Sequence, residues 1–175
     1  PTAPAVIVNN MDWLKEFTYI DFLRDVGKHF RMGTMLGKES VRKRLEGESG
    51  MSYTEFSYQL LQAYDFLHLH DAHGCTFQVG GSDQWGNITA GIDLVRKLRS
   101  VETYGVTFPL VCDSSGAKFG KSAGNAVHLA KEKTSFFDFY QFFLRVTDAE
   151  VIRLLKVFTF APLDDIASLE EQLRA

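Results

Sequence analysis

The spacing of apolar residues predicts a mainly helical chain with one strand–helix–strand segment near its middle. Apolar runs typical of strands cover residues 75–79 and 106–112, and residues 87–99 between them are apolar at helical spacing. Pro109 indicates a bulge or an edge position in the second run. Such a crossover is right-handed and joins parallel strands. The carboxyl ends of both strands are therefore expected at one edge of a sheet.

Helices are predicted on both sides of this βαβ unit. In chain order they cover residues 18–30, 38–45, 52–69, 135–145, 147–158 and 162–175. Ser52 and Thr147 are each followed three residues later by a glutamate, which is the capping-box pattern of a helix start. Thr18, with Asp21 three residues later, is predicted to be the N-cap of the first helix. The helix from Ser135 is apolar nearly all round, which predicts burial on several sides. Residues 6–8 have the composition of a short strand.

The stretch from Gly80 to Asn87 lies where the first strand ends and the crossover helix begins. Its two glycines would let backbone amides approach a ligand closely. Asp83, Gln84 and Asn87 would supply side-chain hydrogen bonds at the same place, together with the positive end of the helix dipole. Spacing alone fits an ordinary glycine turn equally well.

Residues 113–125 form a glycine-punctuated loop after the second strand, and so are expected beside the first motif. Lys118, Lys121 and Ser122 lie on it. Two cations and a hydroxyl suit a phosphate group on which charge develops during its transfer. Lysines on a loop are usually just solvated, but their placement at this sheet edge favours a function.

Three polar side chains share one face of the long helix from Ser52. Tyr58, Gln62 and Asp65 are four and three residues apart, so they lie on one stripe. This stripe could be ordinary solvent-facing polarity. It could equally line a pocket for an amino group and a hydroxyl.

Composition is that of an ordinary globular protein. Hydrophobic residues make up 45% of the 175 residues and charged residues 23%. The net charge of −3 argues against a protein that binds nucleic acid over its whole surface. Any RNA contact would depend on local basic patches. No apolar run is long enough to cross a membrane, and the first eight residues lack the pattern of a signal peptide.

Three histidines, an aspartate and a cysteine lie within residues 68–75, which suggests zinc as an alternative. Their spacing crosses a helix end, a turn and a strand start, and matches no standard ligand pattern. Histidine near a helix C-terminus is favoured by the dipole without any metal. We therefore expect no metal site, and we expect Cys75 and Cys112 to be reduced, buried and inert.

The residues at the end of the first strand, Gly80-Gly-Ser-Asp-Gln-Trp-Gly-Asn87, resemble the signature of bacterial and organellar tyrosyl-tRNA synthetases. Residues 22–30, 53–58 and 62–65 also resemble that family. Lys118-Phe-Gly-Lys-Ser122 is similar to its class I KMSKS loop. The combined similarity runs from about residue 8 to residue 174, nearly the whole chain.

This resemblance implies an α/β fold, the second half of a class I Rossmann-type catalytic domain built on a parallel βαβ unit. Residues 13–58 would be a helical insertion through which these enzymes form homodimers. Residues 59–125 would be the second Rossmann half with the KMSKS-like loop, and residues 126–175 a helical extension.

The resemblance also implies roles for residues in a tyrosine pocket. Asp65 would accept the phenolic hydroxyl of the substrate, with Asn10 as a neighbouring pocket residue. Tyr58 and Gln62 would hold the α-amino group. Gln84 would lie near the reacting carboxyl group and would count among the catalytic residues.

For ATP, the resemblance implies two groups of residues. Gly81 and Asp83 would hold the ribose. Lys118, Lys121 and Ser122 would grip the leaving pyrophosphate as catalytic residues, with Lys121 counted among the ATP-binding residues as well.

The implied activity is that of a tyrosine–tRNA ligase, in which the tyrosine carboxylate attacks the α-phosphate of ATP and tyrosine then passes to tRNA(Tyr). Catalysis in the family is mostly positioning and charge stabilisation. ATP would be a substrate, accompanied by Mg²⁺, and no tightly bound cofactor is expected. The location would be the bacterial cytoplasm or an organelle, either mitochondrial or plastid.

One departure from the family pattern is serious. The HIGH motif belongs to the first Rossmann half, and none of the five histidines of this sequence stands in such a motif. The chain is therefore expected to be an internal piece of an enzyme, inactive by itself. A tryptophanyl relative is a second candidate, although the carboxylate of Asp65 suits a phenol better. A non-catalytic RNA-binding or assembly module derived from a synthetase is a third.

Overall fold

The computed structural model of the protein describes residues 4–48, 50–112 and 127–174. The chain forms two compact units, Pro1–Pro109 and Leu110–Ala175. The first unit carries the strand–helix–strand segment, and the described part of the second carries three helices. Within the described ranges, no helix is both long enough and apolar enough to span a membrane.

In the described part of the first unit, short helices are followed by one long helix and then by the strand–helix–strand segment. They are α1 (Met11–Leu14), α2 (Tyr19–Asp25), a 3-10 turn (Gly27–His29), α3 (Met32–Leu36), α4 (Glu39–Glu46), α5 (Tyr53–His73), β1 (Phe77–Gly81), a 3-10 turn (Ser82–Gln84), α6 (Trp85–Arg99) and β2 (Tyr104–Phe108). Thr18 caps α2 as predicted, since its hydroxyl accepts from the Asp21 amide at 3.1 Å. The predicted helix over 18–30 nevertheless changes to a 3-10 turn after Asp25.

The long helix α5 begins where its cap predicts and ends later than expected. The Ser52 hydroxyl accepts a hydrogen bond from the Glu55 amide at 3.1 Å, which satisfies one of the free amides of the first turn. The helix continues to His73, four residues beyond the predicted end at residue 69. Gly74 stops it with φ at 66°, a left-handed conformation that glycine adopts without a steric penalty.

The two strands are parallel, which confirms the predicted βαβ unit. Their register runs from Phe77 opposite Tyr104 to Gly81 opposite Phe108. The strand predicted over 75–79 lies two residues later in the chain, and the strand predicted over 106–112 begins two residues earlier and ends four residues earlier. Pairing carries β1 into its two glycines, and β2 ends just before Pro109, which has no amide hydrogen to donate.

Helix α6 packs against both α5 and one face of the sheet. The contact with the sheet is close at two glycines: a Cβ added at Gly105 would lie 2.4 Å from Ile88 Cγ2, and one added at Gly80 would lie 3.0 Å from Gln84 Cβ. The core between α2, α5 and α6 is formed by Val26, Ala63, Leu67, Ala90, Leu94 and Val95. Because α6 packs directly against two glycines, its first turn lies close to the ends of the strands.

The opposite face of the sheet is apolar and exposed in the described structure. Its side chains are Phe77, Val79, Tyr104, Val106 and Phe108, with exposed fractions between 37% and 60%. A face of this kind is a candidate for contact with further protein.

The described helices of the second unit are α7 (Phe136–Leu144), α8 (Asp148–Phe158) and α9 (Leu163–Arg174). The capping box predicted at Thr147 and Glu150 is present at the start of α8. The prediction that α7 is buried on several sides is wrong, since none of its residues is buried. A helix that is apolar on every side is buried only where other elements pack around it. Phe136 is 81% exposed.

Two smaller predictions are also wrong. Residues 6–8 form no strand, and Ile7 is 99% exposed. Cys75 and Cys112 are free thiols as predicted, but both are only partly buried. Cys75 precedes β1 instead of lying within it.

Candidate functional site

The carboxylate of Asp65 is held by two side chains of the first helix, Trp13 within α1 and Asn10 at its N-cap. Trp13 Nε1 donates to Asp65 Oδ1 at 2.8 Å, and Asn10 Nδ2 donates to Asp65 Oδ2 at 3.1 Å. One donor on each oxygen fixes the plane of the carboxylate. A carboxylate has about four acceptor positions, so acceptor capacity remains for a further donor.

The indole of Trp13 is fixed by a second contact. It stacks on the His68 ring with centroids 4.2 Å apart and planes at 16°. His68 is one turn of α5 beyond Tyr64, whose own ring packs edge-on against Phe17 at 4.9 Å. The donor to Asp65 is therefore anchored by a chain of aromatic contacts. Sequence reasoning did not identify Trp13 as a site residue.

The polar stripe on α5 meets the motif at the start of α6. Asn87 Nδ2 donates to Gln62 Oε1 at 3.0 Å and to Gln84 Oε1 at 3.3 Å. One amide thus links the helix that carries Asp65 to the turn after β1. The predicted tyrosine-pocket residues Gln62 and Gln84 are brought together, although they are 22 positions apart in the chain.

A cavity of about 530 Å³ lies beside this link, between α4, α5 and the first turn of α6. Tyr58, Asp83 and Asn87 are among the residues that line it. Tyr58 is exposed, so its hydroxyl is accessible to a ligand. Two of the residues predicted to bind different substrates, Tyr58 and Asp83, therefore border one cavity.

Gly81 and Asp83 lie at the carboxyl end of β1, as the parallel crossover requires. Gly81 is the last residue of the strand with φ at −72° and ψ at 162°, and the chain then turns in the 3-10 segment Ser82–Gln84. Helix α6 begins directly after it at Trp85. Strand end, turn and helix N-terminus are therefore contiguous, which is the usual place for a ligand in an open α/β sheet.

Part of the predicted site lies outside the described residues. Lys118, Lys121 and Ser122 fall between residues 112 and 127, where the structure gives no description. Their assignment as pyrophosphate-binding residues stays a prediction.

Several residues of the histidine-rich segment have structural partners. His70 Nδ1 lies 3.1 Å from the Cys75 carbonyl oxygen, and the Asp71 carboxylate accepts two hydrogen bonds from Arg99 at 2.8 and 2.6 Å. The Arg99 guanidinium holds the pKa of Asp71 below its ordinary value. The described residues contain no group of three or more His, Cys, Asp or Glu side chains that could hold a metal ion.

Comparison with known proteins gives a consistent picture. The family model for class I tRNA synthetases (W and Y) matches residues 2–175. The chain is 56% identical over 174 residues to the tyrosine–tRNA ligase of Protochlamydia amoebophila, which is 99% of this chain and 41% of that protein. It is 57% identical over 175 residues to the chloroplastic/mitochondrial tyrosine–tRNA ligase of Arabidopsis thaliana, which is 99% of this chain and 34% of that protein.

Solved structures agree with the sequence comparison. A C-terminally truncated mitochondrial tyrosyl-tRNA synthetase of Aspergillus nidulans is similar with a TM-score of 0.73 and 38% identity, over 95% of this chain and 47% of that chain. The corresponding protein of Coccidioides posadasii gives 0.72 and 36%, over 94% and 47%. The predicted fold class is confirmed. The chain spans about two fifths or less of the length of the curated relatives above.

Proposed function

This chain belongs to the class I tRNA synthetases of the tryptophan and tyrosine type, and we propose from this premise that it is the tyrosine-binding part of a tyrosine–tRNA ligase. The reaction would be attack of the tyrosine carboxylate on the α-phosphate of ATP, followed by transfer of tyrosine to tRNA(Tyr). The location would be the bacterial cytoplasm or an organelle, since its relatives include a bacterial and a chloroplastic/mitochondrial protein.

The observation that carries this proposal is the arrangement around Asp65. Its two oxygens are each held by one donor from Asn10 or Trp13, and its remaining acceptor capacity suits a phenolic hydroxyl. Gln62 lies one turn earlier on the same helix and is bonded to Asn87. Tyrosine would therefore lie with its phenol at Asp65 and its amino and carboxyl groups toward the end of β1.

The ATP side of the proposal depends on the turn after β1. Gly81 and Asp83 would hold the ribose at the strand end, where backbone amides of the turn and the start of α6 face an incoming anion. Gln84 would lie near the reacting carboxylate. Mg²⁺ would arrive with ATP as part of that substrate, and the lysines of residues 118 and 121 would grip pyrophosphate as charge develops on it.

We also propose that the protein acts as a homodimer through residues 13–58. This part of the structure leaves large apolar side chains exposed, among them Met32 at 59% and Tyr53 at 62%. Met32, Leu36, Leu45 and Tyr53 also line one shallow groove. Apolar surface that is exposed in one copy and repeated in a second can form a two-fold interface.

The proposed activity is tested by amino-acid-dependent exchange of pyrophosphate into ATP. The full-length protein that carries this chain should show exchange with tyrosine, and none above background with phenylalanine or tryptophan. The 175-residue chain by itself should show no exchange, because it spans 41% of the length of its Protochlamydia relative and alignment of both substrates carries much of the acceleration.

Two results would contradict the proposal. Exchange supported best by tryptophan would place the protein with the tryptophan members of the family. Full-length protein that is folded by circular dichroism and yet inactive with every amino acid would remove the ligase assignment. Activity of the 175-residue chain alone would refute only the claim that the chain is insufficient.

A further inference from the structure

Lys38 connects the helical insertion to the signature turn of the candidate site. It precedes α4, and its side chain reaches across to α6, where Nζ donates to the Gly86 carbonyl oxygen at 2.5 Å. Lys38 lines both the 530 Å³ cavity and a neighbouring cavity of about 260 Å³ between α3 and α6. Its side chain therefore forms part of the wall between the two.

The environment of the Lys38 ammonium is unusual for a lysine. The side chain is half-buried, and burial lowers its pKa, an effect that the nearby Asp93 carboxylate opposes. A desolvated ammonium is costly unless it has hydrogen-bond partners. A charged donor makes a stronger hydrogen bond to a carbonyl than a neutral one. The Gly86 carbonyl is thus a hydrogen-bond partner for a partly desolvated ammonium.

The attachment point lies in the middle of the site. Gly86 stands between the 3-10 turn that carries Asp83 and Gln84 and the amide of Asn87 that bonds Gln62. Its carbonyl is in the first turn of α6, and the Thr89 hydroxyl also donates to it at 3.2 Å. Any displacement of this carbonyl would move Gln84 and Asn87 relative to α5.

We propose that Lys38 is a positioning residue that fixes the first turn of α6, and with it Asp83 and Gln84, for the activation step. This inference rests on the proposed function, because it assigns those residues to ATP and to the reacting carboxyl group. Lys38 touches neither substrate in this account. It acts through the Gly86 carbonyl.

A specific kinetic pattern follows from where the turn lies. The phenol end of tyrosine is held by Asp65, whose donors Asn10 and Trp13 come from a different segment. Loss of Lys38 should therefore leave tyrosine affinity nearly unchanged. It should lower the catalytic step and the efficiency with ATP, since sub-ångström to ångström misplacement of aligned groups costs rate.

The test compares Lys38→Met and Lys38→Ala with wild type in tyrosine-dependent exchange, without tRNA. We expect kcat/KM for ATP to fall by about 10- to 100-fold and KM for tyrosine to change by less than about threefold. Propylamine, which replaces the missing aminoalkyl group, should restore part of the Lys38→Ala rate in a saturable way. Amide hydrogen exchange over residues 82–90 should speed up in both variants.

Lys97→Met is the matched control. Lys97 also ties α6 to the insertion, by donating to the His29 carbonyl at 3.0 Å, but it does so at the far end of the helix. It should leave exchange kinetics unchanged.

Three results would overturn the inference about Lys38. They are wild-type exchange kinetics in Lys38→Met, a loss confined to the transfer of tyrosine to tRNA, and unchanged hydrogen exchange over residues 82–90. An inactive wild type would refute the proposed function separately, because hydrogen exchange still decides whether Lys38 holds the turn.

Discussion

At the scale of single residues, the most informative side chain is Asp65. Its carboxyl group is oriented by donors on both oxygens. Side chains that fix a ligand-binding group determine how precisely that group meets the ligand. The two donors differ, because Trp13 is itself stacked on His68 whereas Asn10 is exposed. Trp13 should therefore be the more important of the two for orientation.

Trp13→Phe removes the donor and keeps an aromatic ring that can stack on His68. We expect KM for tyrosine to rise by about tenfold, since a hydrogen bond to a charged group contributes about 1.5–3 kcal/mol. Steady-state exchange at varied tyrosine measures this. An unchanged KM for tyrosine would show that Asn10 alone suffices to orient the carboxylate.

The predictions from sequence were uneven at this scale for a physical reason. Tyr58, Gln62 and Asp65 share a helical face, so local spacing alone places them together. Asn10 was identified only through the family resemblance. Trp13 is 52 residues from Asp65 in the chain, and no local pattern connects them. The available signal was that Asn10 and Trp13 are three residues apart, which puts both on one side of a helical turn.

At the scale of elements, helix α6 packs very closely against the sheet. A Cβ at Gly105 would lie 2.4 Å from Ile88 Cγ2, closer than real Cβ atoms come to a neighbour. Ile88 is fully buried, so it cannot move aside. The helix would have to lift from β2, and with it the first turn that carries Asn87.

Gly105→Ala should lower the free energy of unfolding by about 1–3 kcal/mol, the usual cost of overpacking. Urea denaturation measures it. Gly33→Ala is the control, because an added Cβ there meets nothing within 4 Å and alanine favours a helix by up to about 1 kcal/mol. Equal stability of the two variants would show that the α6–sheet contact yields more easily than its geometry indicates.

An ion pair between Asp71 and Arg99 joins the C-terminal ends of α5 and α6. The guanidinium lowers the pKa of Asp71, so the ionised form is favoured in the folded state. The resulting stabilisation is present above the unfolded pKa of about 3.9 and is lost as pH falls through the lower folded value.

Asp71→Asn should therefore be less stable than wild type at pH 7, by about 1 kcal/mol or less because both side chains are more than a third exposed. The difference should shrink as the pH falls below about 4. Thermal unfolding at pH 7 and near pH 2.5 checks this. A difference that persists undiminished at the lower pH would mean that charge is not its cause.

Element boundaries show what a single sequence can predict. The N-caps at Thr18, Ser52 and Thr147 were correct because capping is local chemistry. Strand ends were shifted because inter-strand pairing, and not composition, decides how far β1 extends into Gly80 and Gly81. The burial of α7 was wrong because an apolar surface does not specify what covers it.

At the scale of the whole molecule, the exposed apolar surface of the first unit includes two places where several large apolar side chains lie together. One is the outer face of the sheet, and the other is the groove that includes Met32 and Leu36. Met35, which lies between them in the chain, is buried, with 5% of its surface exposed. The proposed dimer contact therefore depends on Met32, Leu36 and Tyr53.

Met32→Glu combined with Leu36→Glu should convert a dimer to a monomer, because two carboxylates would have to be desolvated in the interface. Sedimentation velocity at micromolar concentration distinguishes the species. Leu129→Glu, at a residue that is 93% exposed outside this region, is the control and should stay dimeric. Wild-type protein that sediments as a monomer would contradict the proposed dimer.

The central claim is that the pocket around Asp65 recognises the hydroxyl of tyrosine. The most direct measurement is kcat/KM for tyrosine and for phenylalanine in pyrophosphate exchange, in full-length wild type and in Asp65→Ala. The loss should be about 10- to 100-fold for tyrosine and less than about threefold for phenylalanine, which has no hydroxyl to lose a partner. Equal losses for the two amino acids would contradict the claim, because Asp65 would then support the fold of the pocket without contacting the phenol.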